Sequence, residues 1–128
     1  MTKAERLKAL VRGNPGGAVL FHPIVMHFAA RFNGAGYGAF ASDYRVLVES
    51  NIACMERFGY DAVSVISDPY RETAAFGAEV YYPEDAVPRC RALRVTSAED
   101  LDGLSAGDVA ASPRTRDRIR GVGYYREL

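Results

Sequence analysis

Hydrophobic and polar positions along the chain follow two periods, one of helices and one of strands. Leu7, Leu10 and Val11 recur at helical spacing behind Thr2 and Glu5, a pair with capping-box spacing, so residues 2–11 are predicted to form a helix. Gly13-Asn14-Pro15-Gly16-Gly17 breaks it. Ala18-Val19-Leu20-Phe21 is a short unbroken apolar run, the pattern of a strand buried on both faces, and His22-Pro23 ends it. Residues 24–32 predict a short helix. Residues 33–38, with Gly34, Gly36 and Gly38, predict a flexible loop. A longer helix is expected from Ser42 or Asp43 to Phe58. Tyr44, Leu47, Val48, Ile52, Met55 and Phe58 form its apolar stripe, and Gly59 sits where a helix end favours a left-handed residue.

The second half opens with the clearest strand signal, residues 61–67, closed by Asp68-Pro69. A short helix over 69–76, an extended piece over 79–82 and another over 92–95 follow. Ser97 is expected to cap a brief acidic helical turn over 97–104. The last predicted helix spans 112–126, with Ser112 as cap and Pro113 at its first position. Ile119, Val122 and Tyr124 or Tyr125 are assigned to its inner side, and Arg114, Arg116, Arg118 and Arg120 to a solvated face.

Helix, glycine, apolar strand and a polar residue at the strand's end is the rhythm of a βαβ unit, so the fold class is α/β. Two parallel-type strands neither cover both faces nor remove their edges. A closed (β/α)8 TIM barrel takes about 250 residues. The 128 residues are therefore expected to be one unit, the incomplete N-terminal part of such a barrel with about two barrel strands plus helices. A small α/β domain that dimerises, or associates through an exposed sheet edge, is the alternative.

Composition narrows the class further. Sixteen basic and sixteen acidic residues cancel, which argues against a nucleic-acid partner. No apolar run reaches the roughly 20 residues that span a bilayer, and the polar start lacks the apolar core of a signal peptide, so a cytoplasmic location and no membrane partner are expected. Cys54 and Cys90 are far apart; two free thiols is the simpler reading, with a disulfide left open.

Three residues stand out as candidates for chemistry. Asp68 follows an apolar strand, at the end where ligands bind in parallel α/β architectures. It equally suits capping of the helix that starts near Pro69. His27 and Arg31 are four apart, share a helix face and follow the first predicted strand, so they are placed near the same end as Asp68. Such a cationic pair opposite a carboxylate suits a polyanionic substrate, with Arg31 gripping a carboxylate by a two-pronged hydrogen bond; a surface arginine and a part-buried histidine is the plainer reading. His22, His27, Cys54 and Cys90 lack zinc-site spacing, so no metal site is expected in this chain. Gly34, Gly36 and Gly38 do not make a dinucleotide fingerprint.

The stretches Pro23-Ile24-Val25-Met26-His27-Phe28-Ala29-Ala30-Arg31, residues 61–68 and Phe76-Gly77-Ala78-Glu79-Val80, with the opening residues 3–13, together resemble the uroporphyrinogen decarboxylase family. The resemblance implies a (β/α)8 barrel. One branch of that family removes carboxyl groups from the acetate arms of uroporphyrinogen without a cofactor. The other moves methyl groups between methylated corrinoid proteins and a thiol such as coenzyme M, using zinc. By the resemblance, Asp68 matches the catalytic aspartate that receives the pyrrole NH groups, and Arg31 matches a substrate-binding arginine. His27 stands where the decarboxylases carry another arginine, and Phe28 where they carry glutamine. The implied partner is a tetrapyrrole in one branch and a corrinoid protein in the other. A non-catalytic α/β binding module is the reading outside both.

Overall fold

The computed structural model describes residues 1–14, 16, 19–92, 94–105, 107 and 110–128. Helices dominate it. Helix α1 (Lys3–Val11) is followed by α2 (Met26–Phe32), α3 (Tyr37–Ser42) and α4 (Tyr44–Phe58). After an irregular segment come α5 (Arg71–Ala75), β1 (Val80–Tyr81), β2 (Arg89–Cys90), α6 (Glu99–Asp102) and α7 (Pro113–Tyr125). The strands pair antiparallel, Val80 opposite Cys90 and Tyr81 opposite Arg89.

Local chemistry explains the helix boundaries. Thr2 accepts from the Glu5 amide while Glu5 accepts from the Thr2 amide, the reciprocal capping box read from the sequence. Asp43, not Ser42, caps α4 by accepting from the Arg45 amide at 2.8 Å; Ser42 ends α3 and bonds back to the Gly38 carbonyl. Gly59 ends α4 at φ 73, the left-handed conformation that favours glycine.

The core lies where α2, α3 and α7 pack around α4. Ala29, Ala30, Tyr37, Phe40, Ala41, Leu47, Val48 and Cys54 are fully buried there. Each such Leu, Val or Phe contributes about 1.5–3 kcal/mol through burial. Small Ala29 and Ala30 on α2 let that helix approach α4 closely. On α7, Gly121 does the same: a Cβ there would lie 3.4 Å from Val65 and 3.6 Å from Tyr44.

Several expectations are corrected. Neither residues 19–21 nor 61–67 form a strand among the described residues, and Ala18 lies outside them. The two segments do meet: the Asp61 amide donates to the Phe21 carbonyl at 2.8 Å, and the Phe21 amide to the Asp61 carboxylate at 2.9 Å. Beyond that point side chains take over from a ladder. Tyr125 donates to the Ser64 carbonyl, Arg71 to that of Val65 and Tyr37 to that of Ser67. Those carbonyls are thus satisfied without a neighbouring strand. The extended piece expected over 92–95 is absent at Ala92, Arg94 and Val95, with Leu93 outside the described residues; the partner of β1 is Arg89–Cys90 instead.

Two further corrections concern packing. Residues 33–38 are not a flexible loop throughout. Tyr37 and Gly38 begin α3, and the Gly38 amide donates to the Glu84 carbonyl at 2.9 Å. A Cβ on Gly38 would sit 2.3 Å from the Pro83 carbonyl oxygen, so the glycine permits a backbone-to-backbone contact. Helix α7 is also rotated from its expected orientation. Ile119 and Val122 are about half exposed (53% and 52%), while Arg118 and Gly121 are buried.

Candidate functional site

Asp68 closes the irregular segment after α4, and its carboxylate is fully enclosed. One oxygen accepts from the Ser67 hydroxyl at 2.6 Å and from Arg114 Nη2 at 2.6 Å. The other accepts from the Tyr70 amide at 3.0 Å, which fastens the turn leading into α5. The cap expected for a helix starting near Pro69 is not formed, since α5 starts at Arg71 with Tyr70 as its N-cap and no side-chain cap bond, and Asp68 instead closes the turn ahead of it. The same carboxylate forms the buried centre of a charge pair, with the Arg114 side chain only 12% exposed.

His27 and Arg31 share a face of α2, as their spacing requires. The carboxylate they meet is Asp85, not Asp68. Arg31 Nη2 donates to Asp85 Oδ2 at 2.8 Å, and His27 Nε2 lies 3.6 Å from Asp85 Oδ1. The bond from Arg31 draws the Asp85 carboxyl below the usual aspartate range. Asp85 reaches this position because Gly38 and Gly36 allow the 83–84 backbone to lie on the start of α3.

Tyr37 lies between the two carboxylates. Its ring stacks on His27, with centroids 4.1 Å apart and planes 12° from parallel. Its hydroxyl donates to the Ser67 carbonyl, next to Asp68. Burial, and then the negative charge of Asp68, push the Tyr37 phenol above its ordinary value, which favours the neutral donor. His27, Tyr37, Ser67, Asp68 and Arg114 are thus joined in one chain of contacts. Tyr82 lies against the far side of Arg114, the guanidinium carbon 4.8 Å from the ring centre.

Of the four α7 arginines expected on a solvated face, Arg116 and Arg120 are exposed and Arg114 and Arg118 are not. Arg114 and Arg118 point inward, and Arg118 is only 6% exposed. Both donate to the Ala41 carbonyl, each at 2.5 Å, and Arg118 Nη2 lies 3.3 Å from Asp117 Oδ2. One signal for this was available. Arg114, Arg118, Gly121 and Tyr125 fall on one helical face, and that face carries the small residue needed for close packing. It was outweighed by the general rarity of buried arginine.

Among the described residues, no group of three or more His, Cys, Asp or Glu is arranged to hold a metal ion. Cys54 is buried and Cys90 half-buried, both as free thiols. No helix among the described residues is long and apolar enough to cross a membrane.

A buried carboxylate fixed by a hydroxyl, an amide and a guanidinium thus sits on a mixed helix-and-strand scaffold. Its identity follows from comparison: the family model of Uroporphyrinogen decarboxylase (URO-D) matches residues 2–123, and the chain belongs to that family. No curated protein and no solved structure matches the chain.

Proposed function

We propose that residues 1–128 supply the N-terminal part of a uroporphyrinogen decarboxylase-like (β/α)8 barrel, with Asp68, Arg31 and His27 contributing to a site that the remaining barrel completes. The family match over residues 2–123 carries this reading. Size supports it, since 128 residues are half of the roughly 250 in a closed barrel. So does exposed apolar surface on the two segments read as barrel strands: Val19 is 85% exposed, Phe21 51% and Ile66 40%. Neighbouring strands would cover these side chains and replace the side-chain donors that now serve the 64–67 carbonyls.

In this reading Arg31 grips a carboxylate of the substrate, and Asp68 accepts from the pyrrole N–H groups. Loss of an acetate carboxyl breaks a carbon–carbon bond. Carbon dioxide leaves, the bonding electrons stay with the ring system, and a proton takes the vacated position. A fixed negative charge beside a protonated pyrrole stabilises that intermediate electrostatically. The reaction requires no cofactor. With Asp68 closed over by Arg114, the 128 residues alone are expected to bind the substrate class without turning it over.

One substitution favours a second reading, a corrinoid-linked methyltransferase. His27 replaces an arginine of the decarboxylase motif and with it a permanent charge and planar fork. The zinc that such transfer uses finds no ligand set among the described residues.

Titration of the chain with uroporphyrin, the stable oxidised form of the octacarboxylate, tests the first reading. Saturable binding that weakens roughly tenfold in Arg31→Ala supports it, a loss of about 1.4 kcal/mol. Absence of binding by the folded chain, with methylcobalamin binding instead, moves the assignment to the methyltransferase branch. Binding of neither leaves the interaction-module reading in its place.

A further inference from the structure

Beneath the first turns of α7 the structure gathers more positive than negative charge. Arg71, Arg114 and Arg118 meet there, and the carboxylates facing them are Asp68 and Asp117, three cations against two anions. A guanidinium keeps its proton at neutral pH, so the surplus cannot be relieved by deprotonation. Burial also pushes the Asp117 carboxyl above its usual range.

The hydrogen bonds show the same shortage. Arg114 uses Nη1 on the Ala41 carbonyl and Nη2 on Asp68. Arg118 uses Nη2 on Ala41, and Arg71 uses Nη1 on the Val65 carbonyl. Among the described residues, Arg71 Nε, Arg114 Nε, and Arg118 Nε and Nη1 are enclosed with no acceptor, against a single enclosed acceptor without a hydrogen bond, Asp117 Oδ2, 3.3 Å from Arg118 Nη2. Buried donors of this kind are seldom left unpaired, and those on a charged group cost the most. Neighbouring guanidinium forks with unused N–H groups match the oxygens of a planar or tetrahedral anion. Arg71 and Tyr82, which lies over Arg114, are half-buried.

We propose that Arg71, Arg114 and Arg118 form a binding site for a small oxyanion, a carboxylate or phosphate group seated against their unpaired N–H groups beside Asp68. The site is separate from the Arg31–Asp85 pair and does not depend on the decarboxylase reading. It takes either a free anion or one arm of a larger ligand.

The test observes the arginine Nε–H resonances of the 15N-labelled chain during titration with inorganic phosphate and, separately, with acetate at matched ionic strength. Saturable shifts at Arg114 and Arg118, with the exposed Arg120 unaffected or drifting linearly, are expected with at least one anion. A tighter response to acetate identifies a carboxylate arm, and a tighter response to phosphate a phosphate group. Shifts at Arg114 and Arg118 that stay flat, or run linearly in step with Arg120, overturn the proposal. Arg118→Met should abolish saturation at Arg114, and saturation that survives the substitution also overturns it. Should Arg118→Met not fold, Arg71→Met serves as the variant.

Discussion

Two aspartate–arginine pairs with similar bond lengths sit in different surroundings. Asp68 and Arg114 meet at 2.6 Å with side chains 0% and 12% exposed, while Asp85 and Arg31 meet at 2.8 Å with 47% and 69% exposed. In water the second pair gains little, because solvent screens the attraction and two mobile side chains must be ordered. Inside the protein the first pair is obligatory, since removing either member leaves an uncompensated buried charge. The buried pair therefore helps fix the fold, and the exposed pair is free to exchange its partner for a ligand.

Four substitutions sharpen or break that contrast. Asp68→Asn carries the largest expected effect, because Arg114 joins a cluster already rich in positive charge. A loss of about 3 kcal/mol is expected, seen as a fall of roughly 10 °C in the thermal midpoint. An unchanged midpoint would mean that the buried pair matters no more than the exposed one. Gly38→Ala comes next. The new methyl meets the Pro83 carbonyl, so about 2 kcal/mol is expected to be lost. Asp85 should also move away from His27 and Arg31, which the His27 ring signals in NMR would report.

Tyr37→Phe removes one hydrogen bond to the Ser67 carbonyl and keeps the stack on His27. Chemical denaturation should show a loss of about 1 kcal/mol. Asp85→Asn is expected to leave the midpoint within error, while uroporphyrin binding tightens because Arg31 is released. The pH dependence of this pair has a definite sign. The Asp85 carboxyl titrates below the ordinary aspartate value of 3.8, so its contribution is present above that pH and is lost as pH falls through the lowered value. Titration of the Asp85 carboxyl carbon by NMR checks this.

The sequence made the long-range order of helices legible wherever a cap or breaker was explicit, as at Thr2, Gly59 and Pro113. It misled where the apolar pattern presupposed neighbours that these residues do not provide. Residues 61–67 have the composition of a buried strand, yet a strand needs a partner to bond with, and side chains of Tyr37, Arg71 and Tyr125 fill that role here. The candidate site was partly readable. His27 and Arg31 share a face as their spacing demands, but the carboxylate they meet comes from a loop whose position depends on Gly36 and Gly38, a contact with no sequence signature of its own. Arg114 and Arg118 were hidden by charge: the stripe they share with Gly121 and Tyr125 was visible, and nothing local announced the buried acceptors at Ala41 and Asp68.

Helix α1 has a different relation to the rest of the molecule. It buries no side chain, and it is held by Lys3 donating to the Tyr60 carbonyl and by Arg6, 3.4 Å from Asp61. Leu7 and Leu10 are over a third exposed, and Val11 is 78% exposed. An element held by two side-chain contacts and burying no residue of its own opens at little energetic cost, independently of the core. Its amides should therefore exchange with deuterium long before those of α4. Trypsin should cleave first after Lys8 or Arg12, releasing a short peptide from a core that stays folded.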